Sequence, residues 1–599
     1  MKNKFKLFSI ISLLILISVG CSNSNSTSSS NISSSNTIIS TSSEVSSSSS
    51  MEKPTRPHTH KYGEWEIIKE ATLFEKGERS KKCNSCEDTI KESYYDLSEV
   101  AFNDRILQYN GKEQKIVIEG LLPKDVSIKY ENNTRKEEGT SLAKAIFLDK
   151  DMNVIETKEA ALTIIPYRGL AKIDINTLNG AAINSKEVYT TMNLSISNCE
   201  STYEISNVAG GIRLRGNGTL EATKKPYRIK FDKKQNVLGL NDGAKCKSWV
   251  LLAEYYDYSM MRNATAFTLG QNIFDNKGYY SSDFEHVNVY INGIFNGIYV
   301  LAEQQQVDEN RVDIYEVEDN EEELNIGYLF EMDNYADENF FDISTPNFSC
   351  KDSNGSTQTL PTRTYSIKSD IYSLEQRDYA KKYLTNVYSI LYYAVVENIY
   401  YTLDENNDLI ESDYKDAYET INAVIDIDSL IRSYILEEIM KDIDVGFSSY
   451  YLFVDLSNES KFKKLTFGAP WDFDWSSGNV NGDFYYRTNN SYNSVFFDHM
   501  NPWLLLISKL VNFKSLTKDY WNLMTNSGIF DYVVNQIEYM GITYKNDFDR
   551  NFQKWNVLGT SQHTYHSSEV YSINSHAKAC ELYKNWLNNR ITYLNSIWG

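Results

Sequence analysis

At 599 residues the chain exceeds what one hydrophobic core can organise, so two to four domains are expected. Its hydrophobic fraction of 41% and charged fraction of 24% are those of a soluble globular protein. The formal net charge of -21 argues against nucleic acid as a partner, because backbone phosphates are neutralised by Lys and Arg.

Residues 1–20 have the pattern of a targeting segment. Lys2, Lys4 and Lys6 supply a positive end, and the apolar run that follows is too short to span a bilayer comfortably. It closes in SVGC, small residues directly before Cys21, the pattern that a lipoprotein signal peptidase accepts. The Cys21 thiol is therefore expected to carry lipid, anchoring the chain by acyl groups at the extracellular face of the membrane. Residues 21–56, almost all Ser, Asn and Thr at first, cannot bury a core and are expected to be a solvated tether.

Residues 57–97 form a small module with two His at spacing two and a CxxC. His58, His60, Cys83 and Cys86 offer four ligands to a structural Zn²⁺, and a Cys83–Cys86 disulfide is the competing reading. The stretch resembles small repeats of bacterial surface proteins with an H-x-H…W…T-C…G…C-x-x-C pattern, with Leu73 where those repeats often have a further Cys. The four other cysteines (Cys199, Cys246, Cys350, Cys580) are scattered and make no disulfide framework. Residues 98–166 alternate apolar and polar in short runs split by GK, PKD and NN turns, which predicts a small β-sandwich. The run QYNGKEQKIVIEGLLPKDVSIKYENN resembles the MBG-type Ig-like domains, which serve as spacers.

From residue 170 to 599 strands and helices mix, which predicts an α+β domain. Gly210, Gly211, Gly216 and Gly218 are expected to form a flexible turn before a strand at 227–231 that carries Lys230. A glycine turn beside a Lys-bearing strand can hold phosphate oxygens, although no GxxxxGKS/T loop is present. Arg262 and Asn263 open a helix, and a hairpin turning at Asn292-Gly293 ends in Glu303. Apolar residues at helical spacing follow Asp428, the expected N-cap, and that helix runs into KDIDVGFSS. A two-stranded hairpin then leads to WDFDW. Asp444 in a loop after a helix, with Asp472 and Asp474 after a hairpin, has the order of a kinase centre: a base, then carboxylates for Mg²⁺. The C-terminal run repeats apolar residues as a packing helix, and His563, His566 and His576 are read as surface or loop residues.

The ordered run RLRGNGT, KKPYRIKF, SWVLLA-x5-S-x-MRN, VNVYINGIFNGIYVLAEQ and RV-x-I resembles the spore-coat CotH family of atypical protein kinases. The resemblance implies a kinase-like large domain that transfers the ATP γ-phosphate to Ser or Thr of secreted or surface proteins. It implies Asp444 as base, with Asp472, Asp474 and Ser449 around Mg²⁺. It further implies Lys230, Arg215, Asn217, Glu303 and Arg262 about the nucleotide, Glu303 either pairing Lys230 or lying near the nucleotide. Asp442 stands in place of the Asn of the family's N-x-D loop, which has Ser or Asn five residues on, and Ser449 sits where kinases place a metal-binding Asn. Two alternatives stand beside a kinase: a non-catalytic surface-binding protein on the same frame, and a calcium-dependent carbohydrate-binding module suggested by the aromatics of FYYRTNNSYN.

Overall fold

The computed structural model describes residues 59–344, 347–351, 355–481, 491–494 and 501–599. The expected signal segment and tether, with Cys21 and His58, lie outside the described residues. Contacts divide the chain into Met1–Lys61 and Tyr62–Gly599, and the architecture below is that of the second unit.

The unit begins with a meander of β1 (Glu66–Lys69), β2 (Gly77–Lys82) and β3 (Thr89–Tyr94). Cys83 and Cys86 sit on the β2–β3 turn without a disulfide, their sulfur atoms within 4.8 Å of each other. Leu73 is buried in the largest core of the chain, so an apolar contact stands where the resembling repeats place a Cys.

Next come β4 (Val100–Ala101), β5 (Arg105–Gln108), β6 (Gln114–Lys115), β7 (Glu119–Gly120), β8 (Ser127–Glu131), β9 (Thr134–Arg135), β10 (Gly139–Leu148) and β11 (Val154–Ile165). A four-stranded sheet ordered β5-β11-β10-β8 is accompanied by the ladders β4-β7 and β6-β9. The long β10–β11 pair buries alternate residues, with Ala143 opposite Ala160 and with Ala145, Phe147, Leu162 and Ile164 in the same core, as a half-buried sheet requires. This part does not hang free. Leu121 enters the main core of the large lobe, and the Leu122 N–H donates to Ser527 Oγ at 2.8 Å.

Seven strands then close into a barrel: β12 (Ala171–Thr177), β13 (Thr190–Ser197), β14 (Ile205–Leu214), β15 (Tyr227–Gln235), β16 (Cys246–Leu252), β17 (Phe284–Ile291) and β18 (Ile294–Glu303). Neighbours are antiparallel except β12 and β17, which run parallel. Ile212, Ile229, Trp249, Val289 and Tyr299 point inward and fill it. Gly210 and Gly211 are in β14 rather than in a turn. A Cβ on Gly210 would stand 2.6 Å from the Lys230 carbonyl oxygen, so glycine there permits close strand approach.

The second lobe contains β19 (Gly327–Met332), β20 (Phe340–Ile343), the hairpin of β21 (Ser349–Lys351) and β22 (Thr357–Thr359), β23 (Arg363–Ile367), the hairpin of β24 (Tyr401–Leu403) and β25 (Leu409–Glu411), β26 (Tyr450–Asp455) and β27 (Thr466–Phe467). Its main sheet is ordered β20-β23-β19-β26-β27. The helices are α1 (Arg262–Ile273), inserted in the barrel sequence, then α2 (Leu374–Tyr392), α3 (Ala417–Val424), α4 (Ile427–Met440), α5 (Pro502–Ile507), α6 (Phe513–Asn526), α7 (Ile529–Thr543), α8 (Lys545–Lys554) and α9 (His576–Trp598). Among the described residues no helix is long and apolar enough to cross a membrane.

Helix α4 is buried along nearly its whole length, which places it at the centre of the lobe. Its N-cap is Asp426, whose carboxylate accepts the Ser429 N–H. Asp428, expected at the cap, lies in the first turn and pairs with Arg432 at 2.9 Å, because an i,i+4 cation draws it along the helix. His566 and His576 are buried rather than superficial: each ring Nε2–H donates to a backbone carbonyl, Tyr256 O at 2.9 Å and Ser259 O at 2.8 Å.

Candidate active site

The centre of the site is the exit of α4. Lys441 turns into the left-handed region and its N–H closes on the Glu437 carbonyl at 2.7 Å, ending the helix. The chain then places Asp442 and Asp444 in a tight turn, where the Asp444 carbonyl accepts the N–H groups of Phe447 (2.7 Å) and Ser448 (2.9 Å). The Asp442 carboxylate accepts a backbone hydrogen bond from Asp444. Asp442 is thus a brace for the loop, which leaves the Asp444 carboxyl free for chemistry.

Asp472 and Asp474 arrive from the other side, after β27. Asp472 has φ +69 and Ser449 has φ +60, a conformation costly for residues with a Cβ. Ser449 hydrogen-bonds the Asp472 carboxylate. Burial and then the nearby Asp472 charge push the Asp444 carboxyl up to about 7, the range suited to a general base. Asp472 and Asp474 are also raised, chiefly by burial; for Asp474 the charges of Asp472, Glu254 and Asp444 add to it.

Glu254, not singled out in the sequence, and Asn263, read there only as opening a helix, hold this arrangement. The Asn263 amide donates to Glu254 Oε1 at 3.0 Å while its carbonyl oxygen accepts the Phe473 N–H at 2.7 Å. One side chain at the start of α1 therefore fixes both a barrel carboxylate and the backbone between the two aspartates. Glu254, 5% exposed, has φ +48, and its Oε2 has no partner. Burial first, and the charge of Asp257 second, push its carboxyl up to about 8. Both Glu254 and Asn263 stand in the run AEYYDYSMMRN, and the pairing of a buried Glu with an Asn nine residues on was the signal available.

The residues expected about the nucleotide separate into two groups. Arg215 acts on Asp472, holding its pKa down against burial, and its guanidinium stacks 5.4 Å from the Trp471 ring. Arg262, by contrast, is committed to structure. It pairs with Asp257, donates to the carbonyls of Ser476 (3.0 Å) and Ser477 (3.1 Å), and lies over Tyr583. It secures the segment after Asp474, with Nε, Nη1 and Nη2 each bonded within the fold. Glu303 pairs with Arg311 at 3.1 Å and accepts Asn241 at 3.1 Å, so it is not the partner of Lys230. Lys230 is exposed on the outer face of β15, and Asn217 is exposed and accepts Lys186 Nζ at 2.6 Å. In the amino-terminal module, His60 is exposed.

The carboxylates suit a hard divalent cation. Crowding raises their affinity for protons, and buried oxygens of Glu254, Asp442 and Glu437 lack partners. Among the described residues no three of these groups bring oxygens within 4.8 Å of one another. Mg²⁺ needs no such triad, since it takes one or two carboxylates and completes its shell with water and phosphate oxygens.

Residues 212–594 match the family described as CotH kinase protein. The chain belongs to the CotH kinase family. The matched stretch starts inside β14 and takes in every element that builds the site, from Arg213 to α9. A comparison with curated proteins finds no match. As a CotH kinase family member the chain is a kinase-like protein, and its mixed helix and strand content agrees with the α+β class expected from the sequence.

Proposed function

We propose that this CotH-family chain is an extracellular, lipid-anchored protein kinase that transfers the ATP γ-phosphate to Ser or Thr of secreted or surface proteins. The observation that carries the reading is the convergence of Asp444, Asp472 and Asp474 from two separate turns into one buried acidic site beside Arg215. Asp444, with a pKa near neutrality, accepts the proton of the substrate hydroxyl. Asp472 and Asp474 would hold Mg²⁺, with Glu254 beside them. Bound Mg²⁺ supplies charge neutralisation on the phosphate oxygens. Arg215 sets the charge of Asp472, and Asn263 keeps the loop in register.

The location rests on SVGC before Cys21 and the Ser/Asn-rich tether that follows it. A structural Zn²⁺ at the amino-terminal module rests on the proximity of the Cys83 and Cys86 thiols. A second reading, a surface-binding protein that has lost catalysis, is favoured by Ser449: its hydroxyl bonds to Asp472, where a kinase has a metal-binding Asn.

The test is Mg²⁺-dependent ATP binding and autophosphorylation of the full chain beside Asp444→Asn and Asp472→Asn. Incorporation of phosphate that both variants lose supports the kinase. Folded protein that binds no nucleotide leaves the surface-binding reading.

A further inference from the structure

The outer face of the barrel carries a row of cations that the acidic site does not use. In the strand ladder Arg213 of β14 stands directly opposite Arg228 of β15, Arg228 opposite Val250 of β16, and Val250 opposite Ala302 of β18. Directly opposed side chains on one face are close neighbours, and like charges so placed repel. Val250 and Ala302 are buried against Tyr451, Phe453 and Trp471 of the second lobe. The row therefore runs from solvent into the seam between barrel and second lobe, with Arg228 at its edge. Arg215, one residue beyond the end of β14, continues it to Trp471 and Asp472.

No carboxylate among the described residues forms an ion pair with Arg213, Arg215 or Arg228. Arg213 donates to the Lys186 carbonyl and stacks over Tyr189, yet its buried Nε has no partner. The buried Nε of Arg228 has none either. Burial lowers the Arg228 pKa, and the charges of Arg213 and Arg215 lower it further. Arg215 faces Asp472, but Arg213 and Arg228 stand side by side with buried Nε groups that have no partner, an arrangement that an added anion would relieve. Guanidinium forks match phosphate oxygens two at a time.

We propose that Arg213, Arg228 and Arg215 form a polyphosphate-binding row, with Arg228 rather than the exposed Lys230 as its central contact. It rests on the kinase reading only for the identity of the ligand, a nucleoside triphosphate whose terminal phosphate points to Asp472. The same chemistry would hold inorganic polyphosphate, and the test separates the two.

Calorimetry on the full chain would use ATP, inorganic tripolyphosphate and adenosine, with Arg228→Ala, Arg228→Lys, Lys230→Ala and, as a charge control, Lys233→Ala. The expected result is tripolyphosphate and ATP affinity reduced about tenfold or more in Arg228→Ala and partly restored in Arg228→Lys, which keeps the charge but not the fork. Circular dichroism establishes that each variant is folded, and Arg228→Lys carries the test if Arg228→Ala is not. Unchanged tripolyphosphate binding in folded Arg228 variants, or an equal loss in Lys230→Ala or Lys233→Ala, overturns the proposal. Arg228-dependent binding of tripolyphosphate without ATP binding upholds the row as an inorganic polyphosphate site while the kinase reading fails. Phosphorylation that needs Asp444 but is indifferent to Arg228 leaves the kinase standing and sinks the row.

Discussion

Arg432 of α4 reaches Glu99, in the loop before β4, with Nη2 2.9 Å from a carboxylate oxygen. Arg432 is 1% exposed and also binds Asp428 and the Ile273 carbonyl. The helix that delivers Asp444 is thus tied to the segment expected to be a mere spacer. Removing one partner of a buried charge pair leaves the other uncompensated. Glu99→Ala should destabilise the protein by about 2–3 kcal/mol, less than a fully orphaned charge because Asp428 remains. Urea unfolding at neutral pH measures it. A loss under about 0.5 kcal/mol would mean that the segment is a passive spacer.

Arg590 of α9 and Glu438 of α4 are both fully buried and meet at 2.6 Å, and Arg590 also binds the Glu438, Tyr492 and Ser494 carbonyls. Arg590→Ala should cost about 3–5 kcal/mol. Arg590→Met, which keeps the stem without the charge, should still remove the cation that meets the buried Glu438 carboxylate and recover little. Thermal melting of the two variants decides it, and a near-native melting temperature for either would contradict the pairing.

Asn263→Ala leaves the Phe473 N–H and the Glu254 carboxyl without their shared partner. The expected loss is about 1–3 kcal/mol of stability, together with a weaker Mg²⁺ affinity by calorimetry. Asn263→Asp restores the acceptor for Phe473 but not the donor to Glu254, so it should recover part of the stability and not metal binding.

His286 and His576 are buried, and burial lowers both imidazoles from 6.5 to about 4. Below 6.5 the unfolded chain takes up protons that the folded chain refuses, so stability falls with falling pH. The contribution is complete above pH 6.5 and lost as pH drops toward 4, up to about 3 kcal/mol for each ring. Urea midpoints between pH 7 and 4.5 should fall steeply. His286→Gln, neutral at every pH, should flatten part of that slope; an unaltered slope would show that another group sets it.

The alternation at 227–231 and 287–301 announced strands of the barrel, and the apolar spacing after Asp428 announced α4, because a half-buried strand or a central helix imposes its period on the residues themselves. The three aspartates were legible for a similar reason: Asp residues in turns after a helix and after a hairpin stand out locally. What could not be read was which charges meet. Lys230 and Arg228 share a face of one strand, and the interlobe seam half-buries Arg228 while Lys230 stays exposed. Arg262 and Glu303 read as nucleotide contacts, but their partners, the Ser476 and Ser477 carbonyls and Arg311, are chosen by tertiary packing. Glu254 and Asn263 were within one quoted motif, yet their role depends on Phe473, 210 residues beyond Asn263. Sequence by itself determined the periodic elements, the acidic motif and its order. Tertiary structure decided the pairing of buried charges, because a charge taken out of water is satisfied by whatever the fold brings beside it, regardless of distance along the chain.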